Sequence, residues 1–220
     1  MPSDEIQGRT ALLLIDIQNG FVNETLWGLS RSNPSFEKNA ALILDTYRSL
    51  ISSTGSATSS PHKIIHIAHA SLFDDSPLHP KSPGYSFQSF AAPKPDELVI
   101  SKGVNSAFIG TNLEEVLRSH FQNGNGKLFI IGLSTDHCVS TTTRMAGNLW
   151  VADARNEKGE RGEHGEVILV QDATAAWKKT EDGFDAELVH KVHVESLREF
   201  ASILNTENTE NVVGLWKSWL

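Results

Sequence analysis

Five short apolar runs, each giving way to a polar residue or a glycine, set the strongest limit on how this chain can fold. They are Thr10–Ile15 before Asp16, Lys63–Ala68 before His69, Glu97–Ser101 before Lys102, Leu128–Ile131 before Gly132, and Val167–Val170 with Asp172 at its end. Runs this short and this continuous are the pattern of strands buried on both faces of a parallel sheet. Between them lie segments with apolar residues three and four apart: Ser35–Ser52, Gly110–Gln122, the stretch opened by Cys138, and Asp185–Phe200 with Leu188, Val189, Val192, Leu197 and Phe200 on helical spacing. Ala201–Leu204 adds a sixth strand. Strands alternating with helices predict a three-layer α/β/α architecture around a six-stranded, mainly parallel sheet. The length, 220 residues with 39% hydrophobic content, suits one domain spanning 1–220.

Parallel strands bring their carboxyl ends to one edge, and ligands of open α/β sheets bind outside that edge. Asp16 and Lys102 each stand there. Alone, an aspartate after a strand is as often a turn or capping residue, and a lysine is usually a solvated charge. The segment KLFIIGLSTDHCVSTTTRMAGNLW changes their weight, because a strand, a tight turn and a helix carry the only cysteine, Cys138, to the same edge. Unpaired N–H groups and the positive end of a helix favour a thiolate and can face an oxyanion. A carboxylate, an ammonium and a cysteine could therefore converge.

His66 and His69 invite a metal reading, but residues three apart on a strand point to opposite faces, and FDDSPLHPKSPG supplies no regular helix to bring a third ligand into line. No metal is expected. The five prolines between Ser71 and Pro95 mark a long ordered loop that can wall or cover a pocket. Val151–Glu166, rich in charge and glycine, reads as an exposed excursion, with a gate or a subunit contact as its functional alternative. In the tail, Val212, Leu215, Trp216, Trp219 and Leu220 need cover from the body or from another subunit.

A net charge of -8, from 19 basic and 27 acidic residues without a Lys/Arg cluster, argues against nucleic acid. One cysteine makes no intrachain disulfide, MPSDEIQGRT lacks the features of a secretory signal, and no apolar run nears the ~20 residues that span a bilayer. A cytoplasmic protein without a membrane partner is the default expectation. Export by an unconventional route would leave no mark in these residues.

Taken together, LLLIDIQNGF, SKGVNSAFIGTNLEEVL, IIGLSTDHCVSTTTRMAGNL and VILVQDATAAW resemble the isochorismatase-like cysteine hydrolase superfamily, in that family's order and over most of the chain. The resemblance implies a six-stranded sheet of Rossmann-like topology and a triad of Asp16, Lys102 and Cys138. It also implies a cis peptide between Leu133 and Ser134, and an oxyanion hole from the backbone N–H groups of Ser134 and Cys138. No cofactor is implied. Phe21, Trp27, His69, Phe108 and His137 are candidate substrate contacts. Nicotinamidases of the family carry an Asp-x-His metal motif that HIAHASLFDDSP does not reproduce. True isochorismatases cleave a vinyl ether without a sulfur nucleophile, and several lack the cysteine.

Retention of Cys138 leans toward hydrolysis of a C–N bond in a small amide or ureide through a thioester. Two alternatives stand beside it: isochorismate hydrolysis to pyruvate and a dihydroxybenzoate precursor, and a non-catalytic member that binds a small molecule or partner. Family habit and the apolar tail predict a homo-oligomer.

Overall fold

The computed structural model describes residues 8–22, 24–54, 60–121, 126–156, 158–207 and 211–217. Six strands form the sheet: β1 (Thr10–Ile15), β2 (His62–His69), β3 (Leu98–Lys102), β4 (Lys127–Leu133), β5 (Glu166–Ala175) and β6 (Ser202–Leu204). Their order is β3-β2-β1-β4-β5-β6, and every pairing is parallel. Apolar residues on both faces fill two cores. Ala11, Leu13 and Ile15 of β1 enter one, while Leu12 and Leu14 enter the other. Period-two alternation thus explains why β1 reads as unbroken hydrophobicity.

Helix α1 (Phe36–Ser53) covers the second core, and α2 (Leu113–Phe121) and α3 (Ser140–Leu149) cover the first. Helices α4 (Ala186–Leu197) and α5 (Val212–Lys217) follow. Trp216 of α5 is buried edge-on against Tyr47 and Phe129, at ring distances of 4.8 and 4.9 Å. The chain's own body therefore covers Trp216, and it is not available to another subunit. Trp219 and Leu220 lie outside the described residues.

Two features differ from the sequence reading. The fifth strand runs on to Ala175, so Asp172 lies inside it, at an irregularity. Ile130 pairs with Leu169 and Gly132 with Thr174, two residues along β4 against five along β5. Side chains meet the carbonyls that this bulge frees: Asn33 Nδ2 donates to Gln171 O at 3.0 Å, and Asn39 Nδ2 to Asp172 O at 2.8 Å. Asp172 Oδ1 instead accepts from the N–H and hydroxyl of Thr206. No local periodicity encodes such a bulge.

The second difference is the face of α4. Ala186, His190, Val194 and Leu197 point inward, while Leu188 and Val192 stay exposed. The inward face is partly polar because His190 has partners there. Its Nδ1 meets Thr135 Oγ1 at 2.9 Å, and its Nε2 meets Asn33 Nδ2 at 3.3 Å. The 151–166 excursion is pinned by Asp153, whose Oδ1 accepts from Gly165 N and whose Oδ2 meets Arg161 and His164.

Candidate active site

Sheet register assembles the site. Ile15 pairs with Ile67 on one side and with Gly132 on the other, and His69 pairs with Lys102. The carboxyl ends of β1 to β4 therefore deliver Asp16, His69, Lys102 and the turn bearing Cys138 to one place. Gly132 makes the junction possible. Its φ is +129°, and a Cβ there would lie 2.1 Å from Ile15 O.

Beyond Leu133 the chain crosses a cis peptide to Ser134 and winds through a π-type turn, Thr135–Val139, before α3 begins. Cys138 lies in that turn, two residues before α3 begins, and not at the opening of the helix itself. Thr135 Oγ1 donates to Thr174 Oγ1 at 3.1 Å and meets His190, so the β5 bulge and α4 hold the turn from behind.

At the centre lies the Lys102 ammonium. Nζ donates to Asp16 Oδ2 at 2.7 Å and to Cys138 Sγ at 3.3 Å, and it lies 3.0 Å from His69 Nδ1. Both charged side chains of the Lys102–Asp16 pair are fully buried. Asp16 adopts φ +53°, and its second oxygen, Oδ1, is buried without a hydrogen-bond partner. A free carboxylate oxygen beside a cysteine is positioned to take a proton.

The donor atoms of Asp16, His69 and Cys138 lie within 4.8 Å of one another, a spacing that a metal ion could exploit. Here the cation within hydrogen-bonding reach of all three is the Lys102 ammonium.

Burial pushes the Cys138 thiol well above its ordinary range, the Asp16 carboxylate adds to the rise, and Lys102 opposes it. The helix-terminus argument expected a ready thiolate. Desolvation and a neighbouring anion work against that expectation.

A cavity of about 430 Å³ opens onto Cys138. Of the five candidate contacts, Phe21, Trp27, His69 and His137 line it. Phe108 does not: it is buried in the core with Ile100 and Leu113. One wall is aromatic. Phe21 stacks on Trp27 at 4.5 Å and lies 5.8 Å from Trp177, while Trp27 Nε1 donates to Gly20 O.

The loop after β2 contributes Ser71, Ser76 and Leu78, as its prolines suggested. Asn105 and Lys179 complete the polar side. Lys179 Nζ donates to Asp136 Oδ2 and lies 3.0 Å from His137 Nδ1. Burial alone would raise the Asp136 carboxyl, but hydrogen bonds from His137, Lys179 and Ser134 hold it well below the usual range.

Sequence reasoning missed Trp177, Lys179 and Asn105 as wall residues, although Asn105 and Trp177 sit within two of the recognised motifs. It also missed Gln18. That side chain accepts from His69 N at 2.8 Å and donates to His69 O at 3.2 Å and Tyr85 O at 2.8 Å, fixing the end of β2 to the long loop.

Comparison with known proteins gives the chain its family. A family model described as the isochorismatase domain matches residues 10–207. The uncharacterized isochorismatase family protein YrdC of Bacillus subtilis is 35% identical over 210 residues, spanning 94% of this chain and 97% of that protein. A crystal structure of a hydrolase of the isochorismatase family from Chromobacterium violaceum is similar at 31% identity and a TM-score of 0.74, with 94% of each chain covered. The secreted isochorismatase effector Isc1 of Verticillium dahliae is 27% identical over 209 residues, covering 93% of this chain and 90% of that protein. Among the described residues, no helix is long and apolar enough to cross a membrane.

Proposed function

The chain belongs to the isochorismatase family of hydrolases, and from that footing we propose that residues 1–220 act as a single domain with metal-independent cysteine hydrolase activity. The substrate is a small amide or ureide, and its C–N bond is cleaved through a thioester on Cys138. The observation that carries this reading is the Lys102 ammonium, 2.7 Å from Asp16 and 3.3 Å from a sulfur that faces the cavity.

Asp16 Oδ1 accepts the thiol proton as Sγ attacks the carbonyl carbon. Concerted transfer suits a thiol whose resting pKa is raised, since a free thiolate never has to accumulate. Lys102 stabilises the sulfur's charge during transfer. The carbonyl oxygen becomes an oxyanion against the backbone N–H groups of Ser134 and Cys138, where loss of one donor typically costs about 2.7–4 kcal/mol. Collapse breaks the C–N bond, and the leaving nitrogen takes the proton back from Asp16. Water then gives a proton to Asp16 and attacks the thioester, releasing the acid and restoring the thiol.

A second reading, vinyl-ether hydrolysis of isochorismate, draws support from the name of the Verticillium relative and from burial that pushes the Cys138 thiol's pKa up. Asp16 would then act as the acid and Cys138 would be a bystander. Steady-state kinetics on small amides, ureides and isochorismate separate the two. The cysteine reading predicts that Asp16→Ala and Cys138→Ala both abolish turnover, whereas full activity in Cys138→Ala with loss in Asp16→Ala gives the vinyl-ether reading. A wild-type protein that binds these compounds and turns over none would point to a non-catalytic member.

The enzyme is further proposed to work as a homo-oligomer in the cytoplasm. Leu188 and Val192, four apart and exposed on α4, and the exposed Phe184 just before it, support a subunit contact there. A monomeric mass at micromolar concentration contradicts that contact.

A further inference from the structure

Lys102 has one more partner than the triad needs. A charged ammonium has three N–H bonds and no acceptor. Asp16 Oδ2, Cys138 Sγ and His69 Nδ1, at 2.7, 3.3 and 3.0 Å, account for all three. Because lysine can only donate, Nδ1 of His69 is the unprotonated ring nitrogen, and the ring proton sits on Nε2.

Among the described residues, nothing in the protein accepts that proton. Nε2 is also not among the buried polar atoms left without a partner, so it is open to the cavity that His69 lines. The ring is held in this pose from two sides. Register sets His69 beside Lys102, and Gln18 bonds both its backbone N–H and its carbonyl. Burial, and then the Lys102 charge, lower the imidazole's pKa against the pull of Asp16, which keeps the ring neutral.

We propose that His69 is a two-sided residue of this site: Nδ1 aims the Lys102 ammonium at Asp16 and Cys138, and Nε2–H binds an acceptor oxygen next to the carbon that Cys138 attacks. The inference rests on the cysteine hydrolase reading and narrows its substrate. The favoured compounds are amides or ureides with a second oxygen acceptor beside the scissile carbonyl, such as the further carbonyl of a ureide or of an α-oxo amide. A neutral imidazole is a poor acid, so His69 binds and orients while the proton shuttles through Asp16.

Asparagine and glutamine divide the two roles. An asparagine carboxamide oxygen falls where Nδ1 lies, and a glutamine amide N–H falls where Nε2 lies. The test is alkylation of Cys138 in the full chain, followed by intact mass, with iodoacetamide and iodoethane as probes. Only iodoacetamide carries a carbonyl oxygen beside its reacting carbon. Each rate is divided by that of free glutathione at the same pH, and with one cysteine in the chain the added mass reports one site.

The wild type is expected to favour iodoacetamide. His69→Asn should keep the iodoethane rate and lose about tenfold of the iodoacetamide preference, the worth of roughly one hydrogen bond. His69→Gln should keep the preference but slow both reagents and shift their pH–rate profile. A thermal melt identifies a variant that does not fold, and the other variant then decides. The same preference and profile in all three proteins, or the reverse assignment of effects, overturns the proposal. A wild-type Cys138 inert to both reagents overturns the cysteine hydrolase reading and this proposal with it.

Discussion

The same strands carry a buried polar cluster at each end, and the two clusters are built on opposite principles. At the amino ends, Thr10 Oγ1 lies 2.6 Å from Tyr47 OH and 2.8 Å from His62 Nδ1, and Thr10 O meets His120 Nε2 at 2.8 Å. These groups are neutral, and burial keeps them so: it lowers His62 and His120 to about 4 and raises Tyr47 beyond the ordinary tyrosine range. At the carboxyl ends, a full positive and a full negative charge are buried together, one carboxylate oxygen is unpartnered, and the cluster faces a cavity. One end fastens strands to helices. The other holds reactive groups in a medium where each charge depends on its neighbour.

Removing charge should therefore hurt most at the carboxyl ends. Lys102→Met strands the Asp16 carboxylate and should cost about 3–5 kcal/mol of stability, with turnover lost as well. The double variant Asp16→Asn/Lys102→Met should recover most of that stability while staying inactive. Urea denaturation of the three proteins checks this, and a double variant no more stable than Lys102→Met breaks the contrast.

The next effect belongs to the amino ends and is read by pH. Unfolded histidines bind protons below about 6.5, whereas His62 and His120 in the folded protein resist until about 4. Between these values the unfolded state binds more protons, so this contribution is complete above pH 6.5 and is lost as pH falls toward 4. The urea midpoint should drop across that window, and His120→Gln should flatten the slope.

A smaller loss is expected for Gln18→Ala, which removes three hydrogen bonds around the end of β2. Partly buried groups left unpaired typically cost about 1–3 kcal/mol, and the Michaelis constant should rise as His69 loosens. Least affected should be Lys127→Ala. Its ion pair with Glu166 is more than a third exposed on both sides, and such pairs contribute about 0–1 kcal/mol.

The contrast also explains what the sequence reveals. Asp16, Lys102 and Cys138 are legible because each stands at or just beyond the end of a strand whose apolar run marks its own boundary, and parallel register does the rest. His69 is legible as a position but not as a partner of Lys102, which depends on a cross-strand pairing that local pattern does not carry. The β5 bulge, the inward face of α4 and the core placement of Phe108 escape the sequence for one reason. Each is decided by residues distant in sequence: Asn33 and Asn39 at the bulge, Thr135 opposite His190, and for Phe108 a core drawn from β1, β2 and β4. The amino-end cluster hides for the same reason, because Thr10, Tyr47, His62 and His120 come from four elements.

The central claim is that Cys138 is acylated during turnover. Intact-protein mass spectrometry during turnover of a mixed panel of small amides, ureides and isochorismate, with Cys138→Ala alongside, tests it most directly. The account predicts an acyl adduct on the wild-type chain, absent from the variant, whose mass identifies the acyl half of the substrate. Turnover of isochorismate without any adduct, undiminished in Cys138→Ala, would contradict it.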